Sequence, residues 1–389
     1  MGSFSYLTFA DYPIFEYKNW YFREIINLIF LQSDFIHEKR KKSTKNKLCW
    51  GNVYENEEGY FDFIGFKQTV NVCKQRLEIY GTSMKKAKKN FTLAKKISRD
   101  EGYLDFSLSG CSYDNYLSEI NNIINTKDKN YNDLYTNFRE SLISGDLGIF
   151  GQSLECHLFS ILSVLSGDSI IEYDLSDVIT NGWVKEKEVE TIDFEKIIIL
   201  TEGKTDVEFI SKSIEALYPH LKDYYHFIDF EDYKIEHSAS ALVKMVLALA
   251  ASNVKHPIIA LFDNDTAGIK EMTKLITRKL PSNFRVLKYP NIEFAKKYPT
   301  LGPTGKKTMN VNCTACGIEM YLGKDSLTKN NMLIPIQWTS FEKGENKYQG
   351  EVSEKNYVQD LFRENIKKGE LSQLQEMDIL LHEIFYAFL

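Results

Sequence analysis

Two short apolar segments, each followed at once by acidic residues, constrain the fold of this chain more than any other feature. Ile197–Leu200 runs into a turn that carries Glu202, and Ile258–Phe262 runs directly into Asp263 and Asp265. A helical pattern of apolar residues follows each turn. Short apolar strands that alternate with helices are typical of a parallel sheet with helices on its faces. The sequence therefore predicts an α/β fold for this part of the chain.

The acidic residues that follow the two strands are expected to lie close together. In parallel α/β sheets, functional groups gather at the carboxyl ends of the strands, so Glu202, Asp263 and Asp265 should face one another. Converging carboxylates repel one another strongly without a cation, and hard oxygen ligands suit Mg²⁺ or Mn²⁺. Gly203 and Gly268 are expected to permit tight turns from strand to helix. The alternative is that the acids only cap the helices that follow them.

These motifs resemble a known domain. A strand followed by Glu202-Gly203, and a second strand followed by Asp263-x-Asp265-x-Ala-Gly, are similar to the Toprim domain. Topoisomerases, bacterial primases and the nucleases of the OLD family share this domain. The resemblance implies a Toprim-type parallel sheet flanked by helices and a metal-dependent phosphodiester site. In that site Glu202 matches the family glutamate, and Asp263 and Asp265 match the paired aspartates.

Two further acids extend the resemblance to the nuclease-type members. Asp206 matches the acidic position that OLD-type proteins place four residues after the glutamate, and Glu319 resembles their third acidic motif. The resemblance implies that Glu202, Asp263 and Asp265 hold a first Mg²⁺ or Mn²⁺. Asp206 and Glu319 would complete a second metal site on the side of the leaving group.

Basic residues are candidates for contact with a phosphate. We expect Lys204 to act in the catalytic site and a loop at Lys306-Lys307 to contact phosphate, although solvation alone would also explain these lysines.

The net charge is −6, from 48 Lys and Arg against 54 Asp and Glu, so nucleic-acid contact has to come from local basic patches. Each of two clusters is either a solvated surface or a site of phosphate contact. Cluster 1 comprises Lys39, Arg40, Lys41, Lys42, Lys45 and Lys47, and cluster 2 comprises Lys85, Lys86, Lys88, Lys89, Lys95, Lys96 and Arg99.

The first half of the chain carries a second resemblance. The stretches Met1–Phe15 and Tyr173–Trp183 are similar to the opening and the exit of the N-terminal module of bacterial HEPN/Toprim-associated proteins. In that family the module precedes either a HEPN ribonuclease or a Toprim domain. A HEPN ribonuclease needs an Arg followed four to six residues later by a His, and none of the seven histidines has an Arg at that spacing. The Toprim domain is then the evident effector.

The sequence divides into three segments. Residues 1–184 are expected to form an α+β N-terminal domain that opens with strands, and residues 192–331 the Toprim domain. The charged segment at 185–190 is the best linker candidate. Residues 332–389 form a C-terminal extension that ends in an amphipathic helix.

The C-terminal helix has an apolar stripe that must be buried. Its members recur mostly at spacings of three and four residues, and they are Leu371, Leu374, Met377, Leu380, Leu381, Ile384 and Phe385. The stripe packs either on its own domain or on the same helix of a second subunit. The second alternative makes the protein a homodimer.

Several features indicate a cytoplasmic protein without a membrane segment. The start lacks a basic and an apolar region of a secretory signal, and the longest uncharged apolar stretches, such as Met245–Ala251, are far shorter than a membrane span. The six cysteines are scattered, which does not fit a disulfide framework. Cys313-Thr-Ala-Cys316 has no second cysteine pair or histidine pair to complete a zinc site.

The function that the residues and the resemblance favour is a metal-dependent nuclease that cleaves tRNA, other RNA or DNA. We expect it to be an antiphage or abortive-infection effector, gated by oligomerisation, by a partner ATPase or sensor protein, or by its own N-terminal module. A topoisomerase would need a nucleophilic Tyr on a further large domain, and a primase would need a zinc module. The alternative function is a Toprim fold that senses a nucleotide or a partner and cleaves nothing.

Overall fold

The computed structural model describes residues 2–102, 110–129, 137–190, 194–228, 234, 236–370 and 374–389. The chain separates into two compact units, Met1–Phe194 and Glu195–Phe388, which we call the N-terminal unit and the C-terminal unit. No helix in these described ranges is both long and apolar enough to cross a membrane.

The N-terminal unit is built on a five-stranded antiparallel sheet. Its strands are β1 (Phe4–Phe9), β2 (Tyr12–Lys18), β3 (Phe35–Lys41), β4 (Tyr60–Thr69) and β5 (Ile170–Asp174), in the spatial order β2-β1-β5-β4-β3. Alternation along β1 places Leu7 and Phe9 in the core and Tyr6 and Thr8 on the opposite face. The opening strands that the sequence predicts are confirmed.

Helices pack on this sheet, most of them on its core face. They are α1 (Arg23–Ile29), α2 (Lys47–Trp50), α3 (Val70–Ile79), α4 (Met84–Asp100), α5 (Tyr113–Thr126), α6 (Phe138–Ser144), α7 (Leu154–Leu162), α8 (Ser176–Thr180) and α9 (Glu186–Glu190). Helix α2 packs instead beside Tyr6 on the opposite face. Ser83 and Ser112 cap α4 and α5 by accepting a hydrogen bond from a backbone N–H in the first turn, which satisfies donors that the helix itself leaves unpaired. The aromatic rings of Phe91 and Tyr116 stack between these two helices at 4.7 Å.

The charged segment that we predicted as a linker is a helix instead. It forms α9, and Val189 within it is buried against the core of the N-terminal unit. Charged side chains on the outer face of a short helix resemble a linker in composition. The buried side chain of Val189 attaches this segment to the N-terminal unit.

The C-terminal unit contains the parallel sheet that the sequence predicts. Its strands are β6 (Ile197–Leu200), β7 (Tyr225–Phe227), β8 (Ile258–Phe262) and β10 (Phe284–Lys288), in the order β10-β8-β6-β7. The helices between them are α10 (Lys204–Leu217), α11 (Ala239–Ala251) and α12 (Thr266–Ile276). Leu200 pairs with Ala260 in the parallel register, so β6 and β8 end at the same edge. The mixed α/β class, with an antiparallel sheet preceding a parallel one, is confirmed.

A second sheet and several short strands complete the C-terminal unit. They are β9 (Asn264–Asp265), β11 (Tyr298–Gly302), β12 (Gly305–Met309), β13 (Ala315–Cys316), β14 (Thr328–Lys329), β15 (Met332–Leu333), β16 (Ile336–Glu342) and β17 (Lys347–Val352). The second sheet has the order β12-β11-β16-β17, and β13 pairs with β9. Lys306 and Lys307 lie within β12, an exposed edge strand, so the prediction of a loop there is wrong.

Two helices end the chain, α13 (Lys355–Lys368) and α14 (Gln375–Phe385). The described members of the apolar stripe, from Leu374 to Phe385, are all buried within the chain's own fold, whereas Leu371 lies outside the described residues. The ring of Tyr218 on the C-terminal side of α10 packs edge-on against Phe385 at 4.9 Å and its hydroxyl donates to Asp378. The stripe therefore docks internally and is not available as a dimer face.

Candidate functional site

The ends of β6 and β8 bring the first two predicted residues into direct contact. Glu202 follows β6, Asp263 follows β8, and the backbone N–H of Asp263 donates to Glu202 Oε1 at 2.8 Å. This bond depends on the parallel register, because only strands that end together place a side chain from one turn beside the backbone of the next. The central pair predicted from the sequence is thus adjacent in the structure.

Asp206 lies in the first turn of α10 and points into the same region. Its side chain is buried, and the hydroxyl of Tyr289, the residue after β10, donates to Oδ1 at 2.6 Å. Burial raises the pKa of Asp206 to about 6, and the nearby carboxylate of Glu319 adds to the rise. A third strand end therefore contributes to the site through Tyr289, a residue that sequence reasoning missed.

Asp265 has a structural role at the start of the helix that follows it. It caps α12, since Oδ1 accepts the backbone N–H of Gly268 at 2.7 Å, and Gln349 Nε2 on β17 donates to Oδ2 at 2.6 Å. The helix capping that the alternative expects is therefore present at Asp265, and its role as a metal ligand stays a prediction. Asp263, by contrast, precedes β9 and caps no helix.

Glu319 lies beside Asp263, on a single 3₁₀ turn (Ile318–Tyr321) that follows β13. The pairing of β13 with β9 brings this turn to the edge of the parallel sheet. Gln359 on α13 donates to Glu319 Oε1 at 2.8 Å. The positions of Glu319 Oε2 and Asp263 Oδ2 converge over Gly317, because a Cβ there would lie 3.3 Å from the first and 3.5 Å from the second.

The carboxylate of Asp263 is the least satisfied group of the site. Its Oδ1 is shielded from solvent and accepts no hydrogen bond from the described residues. Burial raises the pKa of Asp263 well above its usual range, and the carboxylates of Asp206 and Glu202 raise it further. Burial likewise raises the pKa of Glu202 to about 8. A buried acceptor without a partner is costly unless a proton or a cation satisfies it.

The donor chemistry of the cluster fits a hard divalent cation. All five predicted acids supply oxygen, which Mg²⁺ and Mn²⁺ prefer, and Asp263 Oδ1 is an unused acceptor at their centre. The ligand shell is not preformed, since no three His, Cys, Asp or Glu side chains among the described residues converge closely enough to hold a metal. Gln349, Gln359 and Tyr289 each donate a hydrogen bond to one oxygen of a carboxylate.

A small cleft of about 130 Å³ opens onto the carboxylates. Asp206, Asp263, Asp265 and Glu319 line it, whereas Glu202 lies behind the backbone of Asp263. The cleft is lined by polar and charged side chains and by backbone, which suits a charged group more than an apolar ligand.

Lys355, at the start of α13, lines the same cleft and was not predicted from the sequence. Its Nζ lies 2.7 Å from Glu351 Oε2. Burial acts to lower the pKa of Lys355, but the carboxylates of Glu319, Glu351 and Asp263 outweigh it and raise the pKa. Lys204, the predicted lysine, is the exposed first residue of α10 and is not among the residues that line the cleft. Its catalytic role stays a prediction.

The two basic clusters have different surroundings. Cluster 2 forms the exposed face of α4, whose opposite face buries Ala87, Phe91 and Ala94. Cluster 1 lies on β3 and the segment after it, and several of its members are neutralised by carboxylates. Arg40 pairs with Glu172, Lys42 with Glu57, and Lys47 with Glu55.

Comparison with known proteins agrees with the two-part architecture of the chain. Residues 1–196 match the model of the HEPN/Toprim N-terminal domain 1, a span that covers half of the chain. The protein therefore belongs to the HEPN/Toprim N-terminal domain 1 family. No curated protein and no solved structure shows significant similarity to the chain.

Proposed function

We propose that the C-terminal unit is an OLD-like Toprim nuclease that cleaves phosphodiester bonds with Mg²⁺ or Mn²⁺. The observation that carries this proposal is the buried, unpartnered Oδ1 of Asp263, with four further carboxylates near it at the carboxyl edge of the parallel sheet. Such an arrangement costs folding free energy in the absence of a cation. A structural role alone gives no reason for five mutually repelling acids to lie together.

The residues divide into ligands and charge-stabilising groups. Glu202, Asp263 and Asp265 would hold one cation, and Asp206 and Glu319 a second. When bound, the metal would polarise the phosphate, orient a water molecule for attack and neutralise developing negative charge.

The other side chains orient these ligands and bind substrate. Tyr289 and Gln359 set the rotamers of Asp206 and Glu319 through single hydrogen bonds, as supporting groups around metal sites do. Lys355 places an ammonium beside the carboxylates, where it can bind a non-bridging phosphate oxygen and stabilise charge in the transition state.

The substrate is a nucleic acid, either tRNA or other RNA, or DNA. The exposed basic face of α4 offers sequence-independent phosphate contacts. Membership of the HEPN/Toprim family is compatible with a defence role. We extend the proposal to an antiphage effector that a partner ATPase or sensor protein of the same defence operon controls, because an unrestrained nuclease would damage its host.

A cleavage assay tests this function. Purified protein is incubated with Mg²⁺, Mn²⁺ or EDTA and with separate pools of tRNA, plasmid and single-stranded DNA. We expect cleavage of at least one pool, dependent on the metal and absent in Asp263→Asn. Asp223→Asn, which alters an exposed carboxylate of the same unit, serves as the matched control and should cleave normally. Cleavage by Asp263→Asn at the wild-type rate would contradict the proposal.

A second candidate function is a module that senses a nucleotide or a partner without cleavage. The observation that favours it is the absence of a finished ligand shell among the described residues, together with the Gln349 and Gln359 bonds that occupy carboxylate oxygens. Metal-dependent binding of nucleic acid, with every pool intact after prolonged incubation in Mn²⁺, would support this alternative over the nuclease.

A further inference from the structure

The N-terminal unit contains a pocket on the face of its sheet that turns away from the helical core. Tyr6 and Thr8 of β1, Phe61 and Phe63 of β4 and the segment around Lys45 line it, and its volume is about 450 Å³. This volume falls within the range of roughly 300–1,000 Å³ that is typical of small-molecule sites. The pocket belongs to the N-terminal unit, and the inference drawn from it does not rest on the proposed nuclease function.

The most unusual group in the pocket is the ammonium of Lys45. It lies over three aromatic rings, at 4.1 Å from the ring centroid of Trp50, 4.5 Å from that of Tyr54 and 4.7 Å from that of Phe61. Burial lowers the pKa of Lys45. No acidic side chain that the structure describes forms an ion pair with it. The carboxylates of Asp174, Asp177 and Glu57 act on its charge only from a longer distance, and the groups in direct contact with the ammonium are the π-faces of the rings.

The neighbouring cations differ from Lys45 because carboxylates neutralise them. Arg40 makes two hydrogen bonds to Glu172, at 2.9 and 3.0 Å, and lies 3.6 Å over the ring of Phe63. Lys47 is paired with Glu55. A half-buried ammonium without a counter-ion favours the binding of an anion, since an anion would restore the interactions that burial removed.

The acids that line the pocket make no direct ion pair with Lys45 among the described residues. Glu172 is engaged by Arg40, and Asp174 accepts hydrogen bonds from both the backbone N–H and the hydroxyl of Ser176. Lys127, exposed at the C-terminal end of α5, adds a further cation to the lining. The chemistry of the pocket therefore combines an ammonium without a direct ion pair, a further exposed cation and aromatic rings.

We propose that this pocket binds a nucleotide, with a phosphate on Lys45 and the base among the aromatic rings that line the pocket. Aromatic rings stack on the faces of bases and cations bind phosphates, which is how proteins hold unpaired nucleotides. A free nucleotide and a nucleotide within a single strand share this chemistry. The face of the sheet that turns away from the helical core carries aromatic and basic side chains. Such a face can bind a free nucleotide or a nucleotide within a single strand.

Titration calorimetry with the full-length protein tests the proposal. The probes are AMP, GMP, UMP, ADP, a single-stranded octanucleotide and inorganic phosphate. We expect at least one nucleotide probe to bind, and Lys45→Met, which keeps most of the side-chain length without the charge, to weaken that binding roughly tenfold or more. Trp50→Leu should weaken it as well, while Lys41→Met and Trp183→Leu, which alter an exposed lysine and an exposed tryptophan, should leave it unchanged.

The results of the calorimetry distinguish a free nucleotide from a single strand and test the role of Lys45. Tighter binding of the octanucleotide than of any mononucleotide identifies a strand as the source, and equal or weaker binding identifies the free nucleotide. Lys45→Arg keeps the charge and should retain binding, which separates loss of the ligand contact from loss of the fold. Failure of all nucleotide probes to bind at millimolar concentration would overturn the proposal. So would equal affinity in Lys45→Met, or binding of inorganic phosphate as tight as that of the nucleotides.

Discussion

Glu202 Oε1 accepts the backbone N–H of Asp263 at 2.8 Å, so the acid at the end of one strand fixes the backbone of the acid at the end of the next. The bond leaves Oε2 of Glu202 and both carboxylate oxygens of Asp263 available to a ligand. We therefore expect a change that moves Glu202 to affect the position of the Asp263 backbone as well.

Gly268 encloses this contact, and its substitution by alanine should disrupt the site. A Cβ at Gly268 would lie 2.6 Å from the carbonyl oxygen of Asp263 and 2.7 Å from Glu202 Oε1, so the backbone or Glu202 has to shift. We expect Gly268→Ala to lower the free energy of unfolding by about 1–3 kcal/mol and to reduce metal-dependent activity. Chemical denaturation and the cleavage assay measure the two effects.

Gly203→Ala is the matched control for Gly268→Ala. Gly203 has an extended backbone, and the nearest atom to its added Cβ is Asp206 Oδ2 at 3.5 Å, an ordinary contact. The variant should be as stable as the wild type. Equal stability of the two alanine variants would show that Gly268 does not enclose the site as described.

Replacement of Lys355 should lower the proposed cleavage activity. Lys355→Met removes the ammonium from the cleft, and we expect cleavage to fall by roughly ten- to a hundredfold while the protein stays folded. Lys368→Met, an exposed lysine at the other end of α13, is the control. Single-turnover cleavage rates of the two variants are compared on the same substrate. Equal rates would show that Lys355 takes no part in cleavage.

The sequence predicted the acids of the site but not the groups that hold them. Glu202 and Asp263 follow strongly apolar strands, and a parallel register is enough to bring them together. Gln349 reaches Asp265 across 84 residues of sequence, from a strand of a mixed sheet whose pairing no local pattern specifies. Lys355 and Gln359 likewise depend on where α13 docks. Tertiary packing sets these contacts, and neither periodicity nor local motif spacing encodes it.

The apolar stripe of α14 should behave as core. Leu380 is fully buried, whereas Ile379, one position earlier, is 46% exposed. We expect Leu380→Ala to lower the free energy of unfolding by about 2–5 kcal/mol and Ile379→Ala to change it by less than about 0.5 kcal/mol. Denaturation with urea, followed by the far-UV circular dichroism signal, measures both. A negligible effect of Leu380→Ala would place the stripe outside the core.

His157 should make the N-terminal unit less stable in mild acid. Burial lowers the pKa of His157 from its ordinary value of 6.5 to about 4. Between these two values the unfolded chain binds a proton that the folded chain does not, so stability falls as the pH drops from about 6.5 to 4. The loss amounts to about 3 kcal/mol for this one group.

Hydrogen exchange of buried amides in the N-terminal unit, at pH 7 and pH 5, follows this effect. His157→Leu should reduce the difference in protection between the two pH values, once the intrinsic exchange rates are corrected for. The control His37→Gln alters a histidine whose side chain is 51% exposed, and its pH dependence should match that of the wild type. An unchanged pH dependence in His157→Leu would contradict the assignment.

Binding of Mn²⁺ to the metal-free protein, measured by titration calorimetry for wild type, Asp263→Asn and Asp223→Asn, tests the metal site most directly. Asp263→Asn relieves repulsion among the carboxylates, so in EDTA it should melt at or above the wild-type temperature, which shows that it is folded. We predict saturable Mn²⁺ binding in wild type and Asp223→Asn and none in Asp263→Asn. Equal Mn²⁺ affinity in all three proteins would contradict the assignment of the carboxylate cluster as a metal centre.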